Sequence, residues 1–168
     1  MLSVPGRKTR PITDRVKAAL FDILGKKVEG ALFLDLFAGT GSVGIEALSR
    51  GASVATFVEK DPAVIRILQE NLRRTGLESR AEIVQGDVFK FLERGTGKLY
   101  DIIYLAPPQY LGLWAKTLLL LDRTLPLKPG GLVVAQIFPK EYQDLPLEKL
   151  KIGEKRRYGS TLLCFYSF

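Results

Sequence analysis

The chain has 168 residues, of which 46% are hydrophobic and 26% charged, a composition typical of one globular domain with a substantial core. Its longest apolar stretch, residues 113–125, is interrupted by charged side chains, which argues against a membrane-spanning helix and favours a cytoplasmic protein. One cysteine and no histidine argue against an intramolecular disulfide, a zinc cluster and a histidine base, so we expect no metal.

Basic residues concentrate near both ends of the chain, where they exceed the acidic ones. Residues 1–27 form a basic N-terminal segment and helix with seven basic side chains against two acidic ones. A positive charge can be dispersed over any soluble surface, but two basic clusters around a nucleotide-binding core favour a polyanionic partner. The candidate contacts are Arg7, Lys8, Arg10, Lys155, Arg156 and Arg157.

The first half of the chain alternates between helical and strand patterns. We predict a helix that ends at Gly25, a strand over 31–38, a helix over 42–50, a strand over 53–59, a helix between Asp61 and Gly76, and a strand over 81–87. Asp61 as N-cap, Pro62 at the first helical position and Gly76 after the last turn are strong signals for the third helix.

The second half continues the alternation up to Pro139. We predict a short helix over 88–95, a strand over 100–106, a helix over 110–125, a turn at 128–131, a strand over 131–138, and two antiparallel strands joined through Gly159 at one sheet edge. Strands that alternate with helices predict a parallel sheet covered by helices on both faces.

The segment LDLFAGTGSVG, residues 34–44, carries glycines in the pattern G-x-G-x-x-G between a strand and a helix. This pattern is typical of a nucleotide-binding turn, although a tight turn without ligand also uses glycine. A dinucleotide would put its pyrophosphate at the helix N-terminus, whereas S-adenosylmethionine carries an ammonium group that suits the acid Asp35. Asp35 could instead accept hydrogen bonds from loop amides or pair with Arg15.

Two more acids end predicted strands. Glu59 lies 20 residues after Gly39, where an acid accepts hydrogen bonds from ribose hydroxyls. Asp87 is suited to the adenine amino group, and nearly as well to capping the short helix that follows it. Because ligands bind at the carboxyl ends of strands in such sheets, the joint placement of Asp35, Glu59 and Asp87 favours S-adenosylmethionine.

Several motifs together resemble one family. RPITDRVKAALFDIL, LDLFAGTGSVGIEALSRGA, FVEKD, YDIIYLAPPQY and RRYGSTLLCFY resemble the bacterial guanine-N2 methyltransferases of small-subunit ribosomal RNA, over nearly the whole chain. The glycine loop alone would match almost any methyltransferase. The resemblance implies one domain over 1–168 with the Rossmann-like class I methyltransferase fold of the α/β class. That fold has a seven-stranded, mostly parallel sheet, an antiparallel last strand and helices on both faces.

The resemblance also implies an activity and a cofactor site. A methyl group would pass from S-adenosylmethionine to the exocyclic amine of a guanine, in ribosomal RNA or the assembling small subunit. The glycine loop would hold the methionine end, the acids the ribose and adenine, and residues 13–15 would close over the cofactor. The cofactor residues so implied are Thr13, Arg15, Asp35, Phe37, Ala38, Gly39, Thr40, Gly41, Glu59, Lys60, Asp87 and Val88.

The fourth strand departs from the family at its end. The implied catalytic segment is Ala106, Pro107, Pro108, Gln109 and Tyr110, whereas the family has an acid or Asn at the first position and an aromatic residue at the fourth. Either the Ala106 carbonyl and Gln109 suffice, or another acid substitutes, or the protein is a catalytically silent RNA partner that binds S-adenosylmethionine. The chain also begins closer to its first helix than the family does, which implies a smaller RNA contact surface there.

Another methyltransferase class shares the two prolines. Enzymes for DNA adenine or protein glutamine also use Pro-Pro, usually headed by Asn, but this chain shows no added target-recognition domain. Methyl transfer from a sulfonium needs alignment more than a strong base, which agrees with the absence of histidine. A target guanine must leave its stack, and Tyr110 is the candidate for stacking on it, whereas we expect Trp114 in the core.

Overall fold

The computed structural model describes residues 11–109 and 111–168. Five helices are α1 (Asp14–Leu24), α2 (Ser42–Ser49), α3 (Pro62–Thr75), α4 (Val88–Arg94) and α5 (Leu113–Thr124). Seven strands are β1 (Leu32–Leu36), β2 (Val54–Glu59), β3 (Ala81–Gln85), β4 (Tyr100–Leu105), β5 (Leu127–Ile137), β6 (Lys151–Tyr158) and β7 (Thr161–Ser167). Short 3-10 turns cover Gly25–Val28, Glu78–Arg80 and Pro139–Glu141.

The strands form one sheet in the order β3-β2-β1-β4-β5-β7-β6. The first five are parallel, and β7 runs antiparallel to both of its neighbours, β5 and β6. The predicted fold class is therefore confirmed. Because two reversals restore the direction, β6 points the same way as β5, and its last residues reach the carboxyl edge of the parallel strands.

Helices cover both faces of the sheet and bury its apolar side chains. On one face, α1, α2 and α3 pack Leu20, Leu48 and Leu68 against Phe33 and Phe57. On the other face, α4 and α5 bury Leu92, Trp114 and Leu118 against Leu34 and Ile103. The described residues include no helix that is long and apolar enough to cross a membrane.

The predicted turn at 128–131 is wrong, because these residues lie inside β5. The strand begins at Leu127, which pairs with Tyr100, and the register then shifts so that Leu132 pairs with Ile102. The extra residues on β5 are accommodated by an irregularity of the bulge type. A Cβ at Gly131 would lie 2.8 Å from the Asp101 carbonyl oxygen, so glycine permits the two backbones to approach closely. The glycines that suggested a turn therefore serve a strand.

Candidate cofactor cleft and active site

The glycine loop turns sharply between β1 and α2. Phe37 follows β1 with φ of +61°, a left-handed backbone that costs a bulky residue about 1–3 kcal/mol. Gly41 has φ of +86°, and a Cβ there would lie 2.2 Å from the Leu68 side chain of α3. A Cβ at Gly44 would lie 2.4 Å from the Phe57 ring. Gly41 and Gly44 are therefore required by packing, whatever the loop binds.

Three buried side chains hold this loop by its backbone. Asp35 accepts a hydrogen bond from the Gly44 amide at 3.1 Å, and Glu59 accepts one from the Gly39 amide at 2.9 Å. Asn71 of α3 donates its side-chain amide to the Thr40 carbonyl at 3.0 Å. The loop shape is thus imposed by β1, β2 and α3 together. Sequence reasoning did not assign Asn71 to the loop, although a single asparagine at a helical position that faces the core is a usable signal.

Asp35 lies under the loop rather than in the open cleft. Its side chain is 1% exposed, and burial raises the pKa of its carboxyl well above the ordinary value; the Gly44 amide opposes the rise and the charge of Glu59 adds to it. Of the two structural alternatives, loop capping is the one observed. Arg15 is exposed, and no ion pair among the described residues joins it to Asp35.

An open cleft of about 460 Å³ lies at the carboxyl edge of the sheet, on the side of α4 and α5. Its lining includes five predicted cofactor residues: Phe37, Glu59, Lys60, Asp87 and Val88. It also includes residues for which the sequence carried no signal: Val58, Gly86, Phe89, Lys90, Glu93, Leu113 and Lys116. The other predicted cofactor residues lie outside this described lining: Thr13, Arg15, Asp35, Ala38, Gly39, Thr40 and Gly41.

Several of these residues already have structural partners. Thr13 caps α1 by accepting the Val16 amide at 3.2 Å, and Asp87 caps α4 by accepting the Lys90 amide at 3.0 Å. Lys17, which sequence reasoning passed over, donates to the Ser42 hydroxyl at 3.1 Å and so ties α1 to the start of α2. Asp87 therefore fills the capping role that was the alternative to adenine binding, and its contact with adenine stays a prediction.

The cleft lining fits an adenosyl group. Glu59 and Asp87 present carboxylates for hydroxyl and amino donors, and Val58, Val88 and Phe89 supply apolar walls for a base. The Phe37 and Phe89 rings meet edge to face at 6.3 Å. Glu59 also accepts the Lys60 and Asp61 amides at 3.1 and 3.0 Å, which orients its carboxylate at the floor of the cleft. Among the described residues, no three metal-binding side chains group together.

The segment after β4 separates this cleft from a second cavity. Pro108 lines the cleft, while Ala106, Pro107 and Gln109 line a much smaller cavity of about 20 Å³, which has room for roughly one water molecule. The remaining lining of this cavity is Gln136, Ile137, Phe138, Glu141, Ser160 and Thr161. The Oε1 atom of Gln109 is buried and has no hydrogen-bond partner in the described part of the chain. Tyr110 lies outside the described residues.

The predicted basic cluster of the C-terminal half is exposed on the edge strand β6. Arg156 pairs with Glu154 at 2.8 Å, Arg157 donates to the Gly159 carbonyl at 3.0 Å, and the Lys155 ammonium lies 4.2 Å from the Tyr142 ring centroid. Because β6 runs parallel to β5, these residues lie toward the carboxyl edge, as the cleft does. Arg7, Lys8 and Arg10 lie outside the described residues.

Known proteins with similar sequence or structure agree on one family. The model of the family Cons_hypoth95, described as conserved hypothetical protein 95, matches residues 1–167. The ribosomal RNA small subunit methyltransferase D of Buchnera aphidicola subsp. Acyrthosiphon pisum is 33% identical, covering 93% of this chain and 80% of that protein.

Solved structures show the same fold. A hypothetical protein from Thermus thermophilus superimposes with a TM-score of 0.82 at 37% identity, over 100% of this chain and 93% of the other. An RNA methyltransferase from Salinibacter ruber, in complex with S-adenosyl-L-homocysteine, gives a TM-score of 0.69 at 19% identity, over 93% and 92%. By its match over residues 1–167 and by its curated relatives, the chain belongs to the conserved hypothetical protein 95 family, that of ribosomal RNA small subunit methyltransferase D.

Proposed function

We propose that this protein transfers a methyl group from S-adenosylmethionine to the N2 amine of a guanine in small-subunit ribosomal RNA. The names of its relatives support ribosomal RNA as the substrate class. One observation supports the chemistry above all others: the Pro107–Pro108 segment is a shared wall between the cofactor cleft and a second cavity. A methyl donor in the cleft and an acceptor base that approaches from outside would meet at this wall, since the second cavity itself is too small to hold a base.

The acid-lined cleft would hold the cofactor. When bound there, S-adenosylmethionine supplies an electrophilic methyl carbon attached to a positively charged sulfur. Glu59 would accept hydrogen bonds from the ribose and Asp87 from the adenine amine, while Val88 and Phe89 would exclude water from the base. These contacts hold the reacting groups in line, and such positioning can lower a barrier by about 7–11 kcal/mol.

At the acceptor side, Gln109 would replace the missing acid. Ala106 offers only a backbone carbonyl, whereas the buried Oε1 of Gln109 is an acceptor without a partner among the described residues. A buried acceptor left unpaired costs about 1–3 kcal/mol, which a donated hydrogen bond from the guanine amine would recover. In the proposed transfer the amine nitrogen would bond to the methyl carbon, the carbon–sulfur bond electrons would go to sulfur, and the amine proton would leave to water.

Methylation of unmodified ribosomal RNA tests the proposal directly. The protein is incubated with labelled S-adenosylmethionine and either 16S or 23S transcripts or undermethylated small subunits, and modified nucleosides are mapped by mass spectrometry. We expect N2-methylguanine at one position in 16S RNA. Label in 23S RNA alone, or on another base, would refute the substrate assignment.

A variant at Gln109 tests the site separately. Gln109→Leu removes the acceptor at nearly constant volume, so we expect kcat to fall about tenfold while the cofactor affinity is unchanged. Gln109→Glu restores an acceptor and should recover most of the rate, and Gln69→Leu, on the exposed face of α3, is the matched control. Cofactor binding without methyl transfer to any RNA would favour the silent RNA partner, because Ala106 lacks the carboxylate of the family.

A further inference from the structure

Three lysines surround the mouth of the cofactor cleft, and they come from separate elements. Lys60 follows β2, Lys90 lies on α4 and Lys116 lies on α5, and all three side chains are exposed. Within the described residues none of the three forms an ion pair, whereas Lys17, Lys98 and Lys128 each do. The Lys116 ammonium lies 4.1 Å from the Phe89 ring centroid and is thereby kept at the cleft mouth.

These charges have the wrong sign for two of the three charged groups of S-adenosylmethionine, of which the carboxylate alone is negative. The sulfonium and ammonium groups of S-adenosylmethionine are positive, and like charges at close range repel one another. Two acids of the lining, Glu59 and Asp87, accept backbone amides, whereas the third, Glu93, is exposed as the lysines are. The exposed charges of the lining are therefore three lysines against one glutamate, a positive rim suited to an anion that arrives from outside.

The sheet topology places a second group of basic residues on the same edge. Lys155 and Arg157 are exposed on β6, which runs in the direction of the parallel strands and ends at the carboxyl edge. In the strand order, β6 and β2 are five positions apart, a separation of roughly 24 Å at about 4.8 Å per strand. The shared wall at Pro107–Pro108 follows β4, between the two groups.

We propose that Lys90 and Lys116, beside the predicted cofactor residue Lys60, bind phosphates of the RNA substrate on the cofactor side of the target base, opposite Lys155 and Arg157. The RNA strand would then cross the carboxyl edge of the sheet above the cleft, with the target base turned inward at the proline wall. This inference rests on the proposed function, since it requires RNA as the substrate. It adds an RNA contact surface whose lysines are far apart in the sequence and lie together only in the folded protein.

The salt dependence of RNA affinity tests this surface. Binding of a 16S transcript and of single-stranded oligo(A) is measured for wild type and for Lys90→Gln/Lys116→Gln over a range of salt. Each phosphate that the variant no longer binds reduces the slope of log K against log salt by about 0.7 on a single strand, so we expect a reduction of about 1.4. Titration with S-adenosylhomocysteine should give an affinity within about twofold of wild type, since few protein–cofactor contacts change.

Matched variants separate the possible results. Lys26→Gln/Lys27→Gln removes the same charge from exposed positions before β1, at the opposite edge of the sheet, and should leave the salt slope at its wild-type value. Lys90→Arg/Lys116→Arg keeps both positive charges and should also give the wild-type slope. The proposal is overturned if Lys90→Gln/Lys116→Gln leaves the salt slope unaltered, or if Lys26→Gln/Lys27→Gln reduces it as much. A lowered affinity of Lys90→Gln/Lys116→Gln for S-adenosylhomocysteine also overturns it. If the wild-type protein binds RNA with the expected salt slope but never methylates it, the proposed function is refuted while the RNA-binding role of the lysines stands.

Discussion

At the scale of single residues, the candidate site depends on buried acids whose partners are backbone amides. Asp35 and Glu59 are 1% and 3% exposed, and each accepts an amide of the glycine loop or of α2. The structure thus confirms that Asp35 lies near the end of β1 and that Glu59 ends β2. Within the protein itself, however, their immediate role is to shape the loop. Cofactor binding by Asp35 and Glu59 stays a prediction.

Asp35 also makes stability depend on pH. Since burial raises the pKa of Asp35 above its unfolded value, stability falls as pH rises from about 4 through the folded-state pKa. We expect Asp35→Asn to abolish this loss and to stabilise the protein without cofactor at pH 7 by about 1 kcal/mol, or about 2–4 °C. Thermal unfolding of both proteins between pH 4 and 8 measures the difference. Parallel pH profiles would contradict the assignment to Asp35.

Ala106 is the residue where this chain departs most clearly from the family pattern. Its side chain lies at the cavity that Gln109 also lines. We expect Ala106→Asp to preserve or raise the methylation rate, because a carboxylate there would accept the target amine as the family pattern implies. Turnover and cofactor affinity are measured together. A collapse of turnover with normal cofactor affinity would mean that the pocket works differently from the family pattern.

At the scale of secondary-structure elements, one buried acid fastens the loop between β5 and β6. Asp122, near the end of α5, accepts the backbone amides of Glu148, Lys149 and Leu150 at 2.9, 2.9 and 2.7 Å. Burial raises the pKa of Asp122, but the three amides and the Lys149 charge together lower it by more. The pKa of Asp122 therefore lies below its ordinary value. The loop leading into β6 is therefore attached to α5 by an ionised side chain.

Removing that carboxylate should loosen the loop. We expect Asp122→Asn to lower the free energy of unfolding by about 2–3 kcal/mol at pH 7, since hydrogen bonds to a charged group are each worth about 1.5–3 kcal/mol. Because the folded pKa is depressed, the stabilisation is present above about pH 4 and is lost as pH falls through the folded value. Urea unfolding at pH 7 and pH 3, with exposed Asp22→Asn as control, measures it. Equal stabilities of the two variants at pH 7 would contradict this role.

The same scale shows where local patterns misled. The KPGG segment, residues 128–131, has the composition of a turn, yet it continues β5. It lies at the register shift beside Tyr100, where Gly131 permits the two backbones to approach closely. The predicted strand over 31–38 stops at Leu36, since Phe37 adopts a left-handed backbone. Propensity describes what a residue tolerates, whereas the neighbouring strand decides which tolerated conformation is used.

At the scale of the whole molecule, binding of the correct cofactor should stabilise the fold. A ligand that binds only the folded state, at one hundred times its dissociation constant, adds about 2.7 kcal/mol, or roughly 5–10 °C for a chain of this size. We expect this rise with S-adenosylhomocysteine and no rise with NAD at the same concentration. A shift with NAD alone would reassign the glycine loop to a dinucleotide.

The sequence by itself predicted the alternation of helices and strands and the acids at or near the strand ends, but not the course of β5. Alternating apolar runs, the glycine loop with Asp35, the acids Glu59 and Asp87 and the Pro-Pro segment are all local patterns, because periodicity and chain direction are set within a few residues. These patterns predicted the sheet class, and the resemblance that they support predicted the family, which the similar proteins confirm.

Only the tertiary structure decided what meets across the chain. It placed Asn71 on the Thr40 carbonyl, put β7 between β5 and β6, and gathered Lys60, Lys90 and Lys116 at one cleft. Asn71 and Thr40 lie 31 positions apart in the chain, and nothing in their local spacing encodes the contact. Such contacts follow from strand order and from the faces on which the helices pack, which are settled when the whole apolar core is buried at once.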